Sequence, residues 1–191
     1  MLVALALLFV TAPRGVDGGA RDQAVAEAPR TWASFRVGAA TSATRPQLCL
    51  DVSPLEALAF EGCGTGGGFL HTEVGSDISH FRGKVRLTST EVVATTGVSV
   101  WVEPWVGVGF AELEVGADTP GFSFEGPSPG RVSTSGPDVG ASLRGTLPLP
   151  AGVELVGEIG VSLSYFVYAP QLVVPQAPLQ PQASFSLGLG F

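Results

Sequence analysis

Charge is scarce in this sequence: Asp, Glu, Lys and Arg make up 14% of its 191 residues, too few to solvate a disordered polymer. Long apolar runs are missing as well. None reaches the roughly 18 residues that a spanning helix needs, although the mean hydropathy is positive at +0.36. Basic residues are outnumbered, 10 against 17 acidic, and the net charge of -7 argues against nucleic acid, which recruits stripes of Lys and Arg. Histidine and cysteine number two each, which leaves little from which to build a metal centre or a catalytic dyad. What the chain does have breaks helices. With 26 Gly and 15 Pro a helical bundle is excluded, so the fold is read as all-β. The apolar surface then needs a place other than a spanning helix, and the lipid-facing wall of a barrel supplies one.

Residues 2–10 are an apolar run followed by Ala12, Pro13 and Arg14. That run has the length of a signal-peptide core and is too short to span. The expected organisation is a signal peptide over 1–20, cleaved after Gly18 or Ala20, a polar linker over 21–30, and a β-barrel domain over 31–191. In an exported chain the only two cysteines, Cys49 and Cys63, are expected to pair. If residues 48–52 and 55–63 form a hairpin around Ser53 and Pro54, the two sulfurs face each other across neighbouring strands.

Period-two segments begin after the linker. At the C-terminus, Ala183, Phe185, Leu187, Leu189 and Phe191 fall on one face, and Gln182, Ser184, Ser186, Gly188 and Gly190 on the other. That alternation is a strand with one apolar wall and one small, polar wall. Residues 153–168 repeat it at greater length, with Glu154 and Glu158 on the polar face. They are preceded by a segment with Arg144 on its polar face, and the two join through a tight turn at 148–152. A second hairpin is expected from 92–102 into 105–115 with its turn at Glu103 and Pro104. In its return strand the apolar face shifts near Ala111, marking either a bulge or the point where the strand leaves the membrane. With strands at 31–40, 43–52 and 55–64 the count is about eight, in a closed antiparallel up-and-down transmembrane barrel. The long connections, 65–91, 116–136 and 169–181, then fall on one side and the short ones on the other, as in bacterial outer-membrane barrels.

In this pattern the chain resembles the small outer-membrane barrel families, the OmpA-like and OmpX-like eight-stranded proteins. The resemblance rests on the terminal strand, with Phe185, Leu187, Leu189 and the final Phe191 at alternate positions, although Leu189 stands where an aromatic is frequent. It implies that these residues are the signal read by the barrel-assembly machinery, that outer-membrane lipid surrounds the wall, and that the protein is a monomer.

Candidates for chemistry are few. His71 and His80 fall in the long Gly-rich connection and are read as exposed loop residues, so no strand-borne histidine is expected to serve a barrel hydrolase. Residues 64–68 resemble a phosphate loop only by their glycines. No metal, cofactor or catalytic residue is expected. One constellation stands out: Arg144, Glu154 and Glu158 share the inward parity, and Asp51 and Glu61 extend the set, as a charge network filling a narrow lumen. The alternative use of the same residues is a narrow ion path. Trp32, Trp101, Trp105, Tyr165 and Tyr168 are expected at the lipid headgroups. The functional expectation is a non-enzymatic envelope protein with a structural or surface-interaction role. Its alternatives are a minor pore or channel component and a secreted soluble β-sandwich that binds a partner.

Overall fold

A computed structural model describes residues 31–66, 76–93, 98–116, 122 and 130–191. The expected signal peptide and linker, His71 and the rest of residues 67–75 in the Gly-rich connection lie outside them. The described residues form nine strands: β1 (Ala33–Ala40), β2 (Gln47–Leu55), β3 (Leu58–Gly64), β4 (Asp77–Arg86), β5 (Thr90–Val93), β6 (Ser99–Glu114), β7 (Ser133–Pro148), β8 (Glu154–Tyr165) and β9 (Leu179–Gly190). Each pairs antiparallel with its neighbours, β1 with β9 and β4 with β6, so the sheet closes on itself. β5 pairs with residues 99–102 of β6 and β4 with residues 105–114. The two short strands therefore share one stave, and the barrel has the eight staves expected. A two-sheet sandwich is excluded by that closure.

Three boundaries differ from expectation, each for a local reason. Residues 77–86 form β4, where a loop was expected. Outward-facing Phe81 and Val85 flank Gly83 there, so the apolar face is too thin to mark a strand. Pro104 makes no turn and lies inside the 16-residue β6. Its carbonyl accepts from the Leu87 amide at 2.9 Å, so its missing N–H faces the gap between β4 and β5, where the ladder needs no donor. The first hairpin turns at Glu56 and Ala57 rather than at Ser53 and Pro54, which β2 carries through a register shift between Val52 and Leu55. Near Ala111, β6 keeps an unbroken register with β4 and β7. There is no bulge, and the apolar outward face simply ends at Phe110.

Alternation sorts the side chains. Phe35, Leu50, Phe60, Phe81, Val108, Val139, Ile159, Val161, Phe185, Leu187 and Leu189 all point outward, 41–67% exposed. Ser34, Arg36, Asp51, Glu61, Arg144 and Glu158 point inward and are buried. β8 and β9, at 12 residues each, exceed the roughly 9–11 residues of a tilted strand that crosses a bilayer. At the end carrying the long connections the interior turns apolar. There Phe166, Ala169 and Leu172 fold over the mouth onto Ile78, Ala111, Leu113 and Val115.

Two inward glycines permit this curvature. A Cβ on Gly109 would meet the carbonyl oxygen of Phe81 and the Cα of Arg82, and one on Gly188 the carbonyl oxygen of Phe35 and the Cα of Arg36.

Cys49 and Cys63 are register partners with Cα atoms 4.2 Å apart, close to the 4.5 Å or so of a non-hydrogen-bonded cross-strand pair. Their disulfide sits on the inner wall. Its 14-residue separation makes replacing both cysteines by Ala an expected loss of about 3 kcal/mol in unfolding free energy, read as a lower urea midpoint. An unchanged midpoint would show that the bond does not restrict the unfolded chain.

Candidate functional site

Inward parity on six strands converges on the middle of the lumen. Arg36 of β1 reaches Glu158 at 2.5 Å, Glu61 at 2.6 Å and Asp51 at 3.4 Å. Lys84 of β4 reaches Glu158 at 2.5 Å and Glu61 at 2.9 Å. Arg144 of β7 reaches Asp51 at 2.5 Å and Glu158 at 2.8 Å. Arg82 pairs with Asp138, which also accepts from Ser164 Oγ at 2.7 Å. Four cations, Arg36, Arg82, Lys84 and Arg144, thus face four carboxylates, Asp51, Glu61, Asp138 and Glu158. Burying an ion costs several kcal/mol unless partners compensate it, and a balanced cluster is the arrangement that does so. Trp105 lies beneath it, its ring 5.0 Å from the Arg144 guanidinium and 5.8 Å from Lys84 Nζ.

Of the residues expected in this network, Arg144, Glu158, Asp51 and Glu61 are brought together. Glu154 has the same parity but sits near the turn end and accepts from Thr31 Oγ1 instead. Arg36, Arg82, Lys84 and Asp138 were not anticipated as members. The signal for two of them was present: His80, Arg82, Lys84 and Arg86 alternate along β4. Arg86 forms a separate pair with Glu103 at 2.6 Å.

Two expectations are corrected. His80 is no loop residue. It lies on β4, buried against Glu61 with Nε2 3.3 Å from Oε1, and among the described residues no serine hydrogen-bonds to it. Trp105 faces the lumen and is buried, because its parity is opposite to that of the outward-facing Val106 and Val108 that follow it. The candidate assembly-signal residues Phe185, Leu187 and Leu189 line the outer face of β9. Phe191 joins it to β1, its carbonyl accepting from Trp32 and Ala33 at 2.8 and 3.0 Å and its amide donating to Ala33 at 3.0 Å.

The space left inside is small. One cavity of about 20 Å³ adjoins Arg36, Cys49, Glu61, Cys63, His80 and Arg82, and another of about 10 Å³ lies between Arg82, Lys84 and Trp105. Each is on the scale of one water. Arg82 borders both, and ion pairs such as Arg144–Asp51 cross the lumen from β7 to β2.

No family model matches the chain, and no curated protein matches it. Among solved structures, one similar fold is the crystal structure of the N-terminal β-barrel domain of Pseudomonas aeruginosa OprF. It has 10% sequence identity and a TM-score of 0.47, and the match covers 83% of this chain and 95% of that one.

Proposed function

We propose that the chain is a non-enzymatic barrel of the bacterial outer membrane with a structural or surface-interaction role in the envelope. The observation that carries this reading is the inverted interior, a balanced ionic cluster across the lumen inside a wall whose outward side chains are apolar. Each outward Leu, Ile or Phe gains about 1.5–3 kcal/mol on leaving water. Over such a wall the sum reaches tens of kcal/mol, which points to lipid as the surrounding medium. In the same reading an N-terminal signal peptide exports the chain, β9 with Phe191 is the strand read by the barrel-assembly machinery, and the inserted protein is a monomer.

Gel migration and conductance test it together. The protein recovered from an outer-membrane fraction is expected to migrate differently when boiled and unboiled, and to produce no conductance steps in a planar bilayer. Steady conductance would replace the structural role with a pore. Material that stays in solution without detergent and shows no migration shift would sink the membrane reading altogether.

A further inference from the structure

Beside the ion pairs lies a second lumenal cluster, which shares Glu61 with them. The Cys49–Cys63 bond lies on the inner wall of β2 and β3, and on the next strand His80 is the register partner of Cys63. His80 is 5% exposed, and its Nδ1 is buried with no hydrogen-bond partner. A buried ring nitrogen without a partner is unfavourable, so a ligand at this point has something to gain. Glu61 is divided in a matching way. Its Oε2 takes Arg36 at 2.6 Å and Lys84 at 2.9 Å, while its Oε1 faces the imidazole. The sulfur of Cys63, a ring nitrogen of His80 and a carboxylate oxygen of Glu61 all lie within 4.8 Å of one another. They border the larger cavity, which Cys49 also lines.

While the disulfide is closed, its sulfurs carry no charge and are poor donors. We propose that the reduced barrel binds one thiophilic divalent cation of the Zn²⁺ class through Cys49, Cys63 and His80, with Glu61 as fourth ligand, and that disulfide closure removes the site. Two thiolates, an imidazole and a carboxylate are a donor set that Zn²⁺ takes in tetrahedral geometry. With Zn–S of about 2.3 Å and Zn–N of about 2.0 Å, ligand atoms stand roughly 3.5–4 Å apart, so Cys63, His80 and Glu61 close in by at most about 1 Å, while the two sulfurs draw apart once their bond is broken. Three negative ligands around a dication leave one excess negative charge, and Arg36 and Arg82 on the cavity wall offset it. In the exported barrel proposed above the bond is expected to be closed, so the site forms only on reduction.

The chemistry balances with a phosphine as reductant. Two electrons pass from phosphorus to the disulfide, and water supplies both the oxygen of the phosphine oxide and the two thiol protons. Metal binding then releases those two protons to solvent.

The test uses the full chain, refolded from urea into detergent with a phosphine and titrated with Co²⁺ as a spectroscopic stand-in for Zn²⁺. Heat-modifiable migration reports folding in every sample. A thiolate-to-metal charge-transfer absorption is expected to saturate at one equivalent and to be displaced by Zn²⁺. It is expected to be absent from the oxidised protein and from the Cys49→Ala, Cys63→Ala double variant. His80→Ala is expected to weaken binding at least by the ~10–100-fold that loss of a supporting residue costs at metal sites. If that variant does not fold, His80→Gln, which keeps a polar contact with Glu61, takes its place. A folded, reduced barrel without the absorption overturns the proposal, as does an equal affinity in the folded His80 variant. So does a chain that folds only with its disulfide closed, because the site requires a folded dithiol.

Discussion

Replacing Arg36 by Met is expected to lower the unfolding free energy by about 3–5 kcal/mol, measured by urea titration of the barrel in detergent or vesicles. Arg36 touches three of the four central carboxylates, Asp51, Glu61 and Glu158, and is 1% exposed. Removing it leaves four buried carboxylates facing three cations, and methionine fills the space without satisfying any oxygen. The stem packing that Arg36 contributes is largely retained by Met, so the loss reports the charge. A comparison sharpens the reading. Arg86 pairs with Glu103 at 2.6 Å near the turn end, where its side chain is 18% exposed. Water reaches this pair, so Arg86→Met is expected to cost clearly less than Arg36→Met. Equal and small losses in the two variants would mean that water penetrates the central cluster, and the closed-lumen reading would fail.

The second large effect concerns a single methyl group. Gly188→Ala is expected to cost about 3 kcal/mol or more, at or beyond the upper end of ordinary overpacking. The new Cβ meets the backbone of β1 at Phe35 and Arg36 rather than the end of a flexible side chain, so a strand must move. β1 and β9 are also the first and last strands, whose pairing helps close the sheet, and a displaced strand there opens the barrel. Gly145→Ala on β7 is the matched comparison, since a Cβ at that position finds its nearest neighbours at 4.0 Å. It is expected to be near neutral, or to stabilise by the few tenths of a kcal/mol that restricting the unfolded chain brings. The check is heat-modifiable migration along a urea series. Similar midpoints for both variants would show that the wall relaxes easily around Gly188.

These contrasts bear on what could be read from residues alone. The long segments of β7, β8 and β9 were legible because enough apolar positions recur, as in Ile159, Val161 and Leu163, to carry the alternation past a single Gly145 or Gly157. β4 was not, since Gly83 separates its two outward apolar residues, Phe81 and Val85, and a strand rich in His, Arg and Lys resembles a solvated connection. Pro104 misled for a different reason. Proline ordinarily stops a ladder, and only the break between β4 and β5 on that side of β6 makes it harmless within a long strand. His80 followed β4 into error, and its contact with Glu61 and its register pairing with Cys63 were not legible because those residues belong to another strand.

Parity is a local property with a period of two residues, so the sequence by itself determined which side chains face the lumen and which face outward, wherever the alternation is strong. It also determined that a barrel wall is built at all, from abundant breakers and an apolar surplus with no spanning helix. Partner choice is not local. Arg36 finds Glu61 at a separation of 25 residues, Lys84 finds Glu158 at 74, and Arg144 finds Asp51 at 93. Which inward charges meet depends on the stagger between strands around a closed sheet. Only the tertiary structure decided that stagger, because it follows from closing eight staves into one ring.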